Sequence, residues 1–216
     1  MRLVLLGPPG AGKGTQAQEI SKRLGVPHIS TGDMFREAIK AGTELGRQAE
    51  QYLRGGLLVP DAVTVGLVQE RLGKADCSNG YLLDGFPRTV AQAEELTSWL
   101  ESRQEGLDAV INIEVPAEEL LVRLTGRRVC SQCGATYHIR YNRPSGDKCD
   151  QCNGELKQRS DDTEAVVSKR LEVYRKQTAP LLAYYRKNGL LKEVDGTRDI
   201  TEVTRAIGQL LGQDWQ

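Results

Sequence analysis

Gly7-Pro8-Pro9-Gly10-Ala11-Gly12-Lys13-Gly14-Thr15 is the stretch of this sequence that decides its fold. The apolar run before it, residues 3–6, predicts a buried strand, and residues 13–24 after it keep helical periodicity. Strand, glycine-rich loop, lysine and helix in this order fit the phosphate-binding motif G-x-x-x-x-G-K. The glycines let successive backbone N–H groups converge on phosphate oxygens, the helix N-terminus adds partial positive charge, and Lys13 supplies a cation.

One position departs from the usual phosphate-loop pattern. Gly14 stands where a Ser or Thr normally follows the lysine, and Thr15 comes one residue later. Direct coordination of magnesium by that hydroxyl therefore does not follow from the motif. Asp84 ends the strand predicted at 81–84, which is where a carboxylate that organises magnesium lies in phosphate-loop proteins. A turn or cap role for Asp84 is the alternative, because Asp-Gly is common in turns.

The rest of the chain alternates short apolar runs with helical segments. Strands are predicted at 3–6, 26–30, 81–84, 109–115 and 190–194. Helices are predicted at 13–24, from 31, at 45–53, 60–72, 90–100, 118–124 and 203–211, and as one long helix over 167–185 bent at Pro180. This alternation predicts an α/β fold, a parallel five-stranded sheet flanked by helices of the phosphate-loop NTPase type.

Composition excludes some function classes. The 216 residues carry 29 Lys and Arg and 29 Asp and Glu, so the formal net charge is zero. A duplex-DNA binder with a broad basic surface is disfavoured, whereas a local arginine cluster for a small anion is not. No apolar run reaches the roughly 18 residues of a membrane span, and the N-terminal run is too short for a signal peptide. We therefore expect a cytoplasmic protein.

Helical periodicity disappears between residues 126 and 162, which suggests a small inserted module. Cys130-x2-Cys133 and Cys149-x2-Cys152 lie in it, separated by 15 residues, and this spacing is a strong zinc signal. Four thiolates close a tetrahedral coordination sphere, so the zinc would be structural. Disulfides or free thiols are the alternatives, disfavoured in a reducing cytoplasm, and iron in the same ligand set also stays open.

Five motifs, in order along essentially the whole chain, resemble the adenylate kinase family, in its bacterial form with a long zinc-binding lid. They are the phosphate loop, Ser-Thr-Gly-Asp-Met-Phe-Arg at 30–36, Leu-Leu-Asp-Gly-Phe-Pro-Arg-Thr at 82–89, Gly-Arg-Arg at 126–128 and Arg-Ser-Asp-Asp at 159–162. The resemblance implies reversible phosphoryl transfer from ATP to AMP with magnesium, giving two ADP. It also implies a core of residues 1–29, 60–125 and 163–216, an AMP-binding helical insertion at 30–59 and a zinc-containing lid at 126–162.

The resemblance also assigns individual residues. The ATP-binding residues would be Gly10, Ala11, Gly12, Lys13, Gly14, Thr15, Arg123, Arg127, Thr136, Tyr137 and Arg198. The AMP-binding residues would be Thr31, Arg36, Leu57, Leu58, Val59, Gly85, Phe86, Pro87, Arg88, Gln92, Arg159 and Arg170. The catalytic residues would be Lys13, Asp84, Arg88, Arg127, Arg159 and Arg170. A cis peptide bond between Phe86 and Pro87 is a further implication.

The chemistry of these residue types is consistent with that role. Arginine forks match phosphate oxygens and stay charged at any working pH. His28 and His138 are the only histidines, and neither belongs to an evident nucleophile–base pair. None is needed when the acceptor is a phosphate that is already an anion. For a single arginine such as Arg170, which flanks an apolar stripe, snorkelling is an equally good interpretation.

Other functions stay open at this point. Another nucleoside monophosphate kinase is one, because Gln92 and residues 57–59 indicate adenine by resemblance only. A zinc-ribbon nucleic-acid-binding protein with an NTP site is another, although zero net charge and few aromatic residues argue against it. A regulatory NTP-binding protein without transfer activity is a third. We expect a monomer that binds ATP, AMP and ADP and neither nucleic acid nor membrane.

Overall fold

The computed structural model describes residues 1–215 and contains two sheets. The strands are β1 (Arg2–Leu6), β2 (His28–Ser30), β3 (Tyr81–Asp84), β4 (Ala109–Glu114), β5 (Arg127–Cys130), β6 (Thr136–His138), β7 (Leu156–Lys157) and β8 (Leu191–Asp195). Five of them form a parallel sheet in the order β2-β3-β1-β4-β8. The predicted five-stranded parallel sheet is therefore confirmed.

Helices cover both faces of the parallel sheet. They are α1 (Lys13–Leu24), α2 (Thr31–Lys40), α3 (Glu44–Arg54), α4 (Asp61–Leu72), α5 (Val90–Ser102), α6 (Ala117–Thr125), α7 (Glu164–Val173), α8 (Pro180–Lys187) and α9 (Ile200–Leu210). Because successive residues of a strand point to opposite faces, Val4 packs in the cluster with α4, α5 and α8. Its neighbours Leu3 and Leu5 pack in the cluster with α1 and α9. No helix in the described residues is long and apolar enough to cross a membrane.

The register of the strands brings the candidate site residues to one edge of the sheet. Asp84 at the end of β3 lies opposite Leu5 of β1 and Ser30 of β2. The phosphate loop after β1, Thr31 after β2 and Gly85 after β3 therefore all begin at the carboxyl edge. In open parallel sheets, ligands bind at this edge.

The prediction of one long helix over 167–185 was wrong in its middle. Helix α7 ends at Val173, residues Tyr174–Thr178 form a π-helical turn, and α8 begins at Pro180. The break thus precedes the proline, which occupies the first position of α8, where its missing N–H has no partner to lose. Smaller shifts occur at the second strand, which begins at residue 28, and at the last strand, which ends at Asp195.

Residues 126–162 form the small second sheet, which lacks long helices as the sequence predicts. Strands β6, β5 and β7 pair antiparallel in that order, and a single 3-10 turn at Ser160–Asp162 leads into α7. The segment leaves the core at the end of α6 and returns at the start of α7, and these two helices pack together through Leu120, Leu124 and Val167. Its base is thereby attached to the core.

Candidate active site

Glycines give the phosphate loop its backbone conformation. Gly7 and Gly10 have φ angles of 139° and 88°, which favour glycine, and a Cβ on Gly7 would lie 2.6 Å from the backbone oxygen of Ile113. The Lys13 Nζ donates to the carbonyls of Gly7 at 2.8 Å and Pro8 at 2.9 Å, which fixes the ammonium at the loop and leaves one proton for a ligand. Burial lowers the pKa of Lys13 to about 8, although Asp84 opposes the shift.

Asp84 lies beside the first turn of α1. A Cβ on Gly14 would be 3.7 Å from Asp84 Oδ2, and His28 Nε2 is 3.5 Å from the same oxygen. Burial raises the pKa of Asp84, but His28 and the charge of Lys13 outweigh it, so the pKa lies below its usual range. The ionised carboxylate is a hard ligand, and the absence of a hydroxyl on Gly14 fits contact with magnesium through water.

Arginines from four parts of the chain surround the same space. Arg36 comes from α2, Arg88 follows β3, Arg159 precedes α7 and Arg170 lies on it. Arg36, Arg88 and Arg170 line one cavity together with Lys13. The Nε of Arg88 donates to the Gly85 carbonyl at 2.7 Å, so its two Nη groups stay available. Four of the arginines that the resemblance assigns are thus brought together, and snorkelling of Arg170 is not what the structure shows.

Three carboxylates hold arginines of this cluster. Asp161 and Asp162 lie just before α7, and Asp33 lies on α2. Asp162 is fully buried and accepts from Arg127 Nε at 2.8 Å, Arg127 Nη2 at 2.6 Å and Arg170 Nη1 at 3.0 Å. Arg170 Nη1 also lies 3.1 Å from Asp161 Oδ2. Asp33 pairs with Arg36 at 2.6 Å and lies 3.8 Å from Arg159. Each arginine keeps unused N–H groups for a further anion.

Mutual repulsion and burial show in the pKa values of these arginines. Burial, with Arg170 nearby, lowers the pKa of Arg88 to about 10, and burial with Arg127 nearby lowers the pKa of Arg159 to about 10. All remain protonated at neutral pH. A buried group of like charges is unfavourable on its own, and an incoming polyphosphate relieves it.

The same cavity extends to the predicted AMP residues. Thr31, Arg36, Leu57, Leu58, Val59, Gly85, Pro87, Arg88, Gln92 and Arg170 all line it. Thr31 Oγ1 donates to the Gly85 carbonyl at 2.8 Å, which joins the ends of β2 and β3. The Phe86–Pro87 bond is cis, and the Phe86 side chain is buried in the core, so only its backbone faces the turn. One continuous cavity therefore holds Lys13 and Gln92.

The four paired cysteines meet in the lid. Their Sγ atoms all lie within 4.8 Å of one another, with Cys130–Cys152 at 3.4 Å and Cys133–Cys149 at 3.5 Å. A disulfide needs about 2.05 Å, whereas sulfurs around a tetrahedral zinc are about 3.8 Å apart. A Cβ on Gly154 would lie 2.8 Å from Cys130 Sγ, so the turn needs glycine there. The donor set fits a structural zinc ion.

Comparisons with known proteins agree with this geometry. A sequence model of the family described as adenylate kinase matches residues 5–190. The chain is 72% identical over 217 residues to an adenylate kinase of Moorella thermoacetica, covering all of both chains. It is 59% identical over 215 residues to an adenylate kinase of Clostridium botulinum, covering 99% of this chain and 100% of the relative. A relative from Desulfitobacterium hafniense with the same name is 60% identical over 208 residues, 96% of each chain.

This chain belongs to the adenylate kinase family.

Two arginines that the adenylate kinase resemblance assigns to ATP, Arg123 and Arg198, lie elsewhere. Arg123 and Arg198 are outside the cavity that Lys13 lines. Arg123 donates to the Gly196 carbonyl at 3.0 Å and pairs with Glu119, and Arg198 is exposed beside Asp195. Both therefore lie beside the turn at residues 195–198.

The two lid residues assigned to ATP by the adenylate kinase resemblance also lie apart from the cavity. Thr136 is exposed, and Tyr137 is buried with its hydroxyl 3.4 Å from Cys149 Sγ. The Tyr137 side chain thus packs against the cysteine cluster, and only its backbone could contact a nucleotide. The structure does not bring these two side chains to Lys13.

Four acidic residues of the site were missed by the sequence analysis. Asp33, Asp161 and Asp162 hold arginines, and Asp61 holds Gln92. A signal was available for three, because Asp33 lies within the motif at 30–36 and the aspartate pair within that at 159–162. A buried arginine cluster requires carboxylates, and these three aspartates are close in sequence to the arginines of the same motifs. Nothing in the sequence singled out Asp61.

Proposed function

We propose that this chain catalyses reversible transfer of the terminal phosphoryl group of ATP to AMP, giving two ADP. The observation that carries the proposal is that Lys13 of the phosphate loop and Gln92 of the predicted AMP site line the same cavity. Arg36, Arg88 and Arg170 line it with them. A protein that only binds or hydrolyses ATP has no need of an AMP site next to the phosphate loop. We place the ATP phosphates on residues 10–15 and AMP against Thr31, residues 57–59 and Gln92.

The chemistry would need charge stabilisation and positioning rather than a base. The bond from the γ-phosphorus to the β-phosphate oxygen breaks, and a bond from an AMP phosphate oxygen to that phosphorus forms. Both oxygens are phosphate oxygens, so no proton must be removed from the acceptor. Lys13 and the free Nη groups of Arg88 would stabilise the transferring group. Arg127, Arg159 and Arg170 would stabilise the neighbouring phosphates.

Asp84 is the residue we assign to magnesium. Its ionised carboxylate, close to Lys13 and the start of α1, would hold the hydrated ion. Magnesium bound with ATP would neutralise part of the charge of the phosphate groups.

The domain roles follow from the same proposal. Residues 30–59 would bind AMP, and residues 126–162 would form a lid that excludes water while the phosphoryl group transfers. Zinc on the four cysteines would give this small module its stability, because its buried cluster contains little besides Ala135, Tyr137 and the cysteines. The monomeric state and the cytoplasmic location stay predictions from the sequence.

The test is whether ADP appears when the protein is mixed with ATP, AMP and magnesium. We expect ADP formation to exceed ATP hydrolysis without AMP by several orders of magnitude, and AMP to be preferred over GMP, CMP and UMP. Lys13→Met should abolish transfer, whereas Lys22→Met, at an exposed site on the same helix, should not. ATP hydrolysis that AMP leaves unchanged would contradict the proposal.

A further inference from the structure

The side-chain amide of Gln92 is held on both sides. Gln92 is 1% exposed, its Oε1 accepts from the backbone N–H of Arg88 at 2.7 Å, and its Nε2 donates to Asp61 Oδ1 at 2.7 Å. A primary amide has two N–H donors and two acceptor lone pairs. After these contacts, one N–H and one lone pair of Gln92 remain for a ligand in the cavity.

Asp61 is itself fixed in place. It is the first residue of α4, where the helix N-terminus favours a negative charge. Its Oδ2 accepts from Thr89 Oγ1 at 2.9 Å, and Thr89 caps α5 by accepting from the Gln92 N–H at 3.1 Å. Asp61 makes no ion pair within the described residues. Its carboxylate therefore serves as an acceptor for these two side chains.

These contacts determine which way the amide of Gln92 faces. A rotation by half a turn would place Oε1 against the Asp61 carboxylate and Nε2 against the Arg88 N–H. Acceptor would then face acceptor and donor would face donor, and the buried amide of Gln92 would lose both hydrogen bonds. The surrounding protein, and not the ligand, sets the orientation.

We propose that Asp61 is a specificity-determining positioning residue that makes the acceptor site select a 6-aminopurine over a 6-oxopurine. The inference rests on the proposed function above. A 6-aminopurine offers an acceptor at N1 and a donor at its amino group, which match the free N–H and lone pair of Gln92. A 6-oxopurine offers a donor at N1 and an acceptor at O6, so it needs the rotated amide that Asp61 excludes. A site whose polar groups cannot re-pair discriminates strongly.

The experiment compares AMP with IMP, which differ only at the purine 6-position and N1. Asp61→Asn keeps the size of the side chain but presents either an oxygen or an N–H2 group to Gln92. The rotated amide then meets only one opposing contact, the backbone N–H of Arg88, and not two. We expect the ratio of kcat/KM for AMP to that for IMP to fall by about tenfold or more. KM for AMP should rise more than kcat falls, and KM for ATP should not change.

Two controls separate positioning from general damage. Asp76→Asn removes another carboxylate, which is paired with Arg71 and does not line the cavity, and should leave the ratio unchanged. In a Gln92→Leu background, Asp61→Asn should no longer change the ratio, because its effect passes through the Gln92 amide. An equal fall in that background, or an unchanged ratio in folded Asp61→Asn, would overturn the inference while the proposed function stands. A wild-type protein that transfers nothing to AMP would overturn both.

A second measurement needs no change at Asp61. In the nucleotide-free protein, the two Nε2 protons of Gln92 should give separate NMR signals, with the proton bound to Asp61 shifted downfield and slow to exchange with solvent. Gln151, which is exposed, serves as the reference amide. Gln92 signals as exchange-labile as those of Gln151 would refute a fixed orientation.

Discussion

Replacement of Asp162 by asparagine tests the arginine cluster most directly. The carboxylate is 0% exposed and accepts three charge-assisted hydrogen bonds, two from Arg127 and one from Arg170. Asparagine keeps the shape but turns an N–H2 group towards a guanidinium. Breaking a buried pair by removing one partner costs about 3–5 kcal/mol. The side chains of Arg127 and Arg170 are 18% and 20% exposed, so water recovers part of this, and we expect about 3 kcal/mol.

A loss of that size is easy to measure. For a chain of this length it lowers Tm by about 6–12 °C, at roughly 2–4 °C per kcal/mol. Thermal unfolding followed by circular dichroism, without nucleotide, gives the value. Asp76→Asn is the matched control, because its carboxylate is 53% exposed and its ion pair with Arg71 should contribute at most about 1 kcal/mol. A Tm for Asp162→Asn within 2 °C or so of the control would refute the anchoring role of Asp162.

Three further predictions concern the reaction and the metal. Because the pKa of Lys13 is about 8, the free protein loses this cation as pH rises through 8, so kcat/KM for ATP should fall there while kcat falls only at higher pH. A kcat/KM profile for ATP that stays flat to about pH 9, roughly one unit above the pKa of Lys13, would contradict this prediction. Arg88→Lys keeps the charge but loses the fork, so kcat should fall by about 10³–10⁵ with little change in Tm, and a near-normal kcat would exclude Arg88 from the transfer. Cys130→Ser should abolish stoichiometric zinc and lower Tm, yet transfer should persist at temperatures where the variant stays folded. Complete inactivity of the folded variant would mean that the metal takes part in the chemistry.

The strands and helices of the core could be predicted because their signals are local. Residues 3–6 are apolar and followed by glycines, and the structure has a strand at Arg2–Leu6. Helix α1 has the predicted bounds, residues 13–24, and Gly25 follows it in a left-handed conformation at φ 65°. Helix α4 begins at Asp61, one residue after its predicted start. Such boundaries depend on one or two residues and their immediate neighbours.

The π-helical turn at residues 174–178 could not be predicted in the same way. Leu171 before the turn and Leu181 after it are both buried, so the apolar spacing looks continuous. Ala179 donates to the Tyr174 carbonyl at 2.9 Å, five residues back, which inserts one extra residue into the turn. The insertion lets Thr178 Oγ1 donate to the carbonyl of Arg88 at 2.8 Å. The π-helical turn thus makes a contact with the loop that carries Arg88, 90 residues away in sequence.

The same limit explains why the sequence indicated the arginines of the site but not their partners. Asp162 stands three residues after Arg159, yet it binds Arg127, 35 residues away, and Arg170 on the next helix. A chain of zero net charge can therefore still concentrate charge where the fold brings distant segments together. The cavity region gathers six cations and five carboxylates: Lys13, Arg36, Arg88, Arg127, Arg159 and Arg170 with Asp33, Asp61, Asp84, Asp161 and Asp162. An anionic ligand neutralises the remaining excess of positive charge, so the carboxylates that hold the arginines in place also limit how much positive charge is left for the ligand.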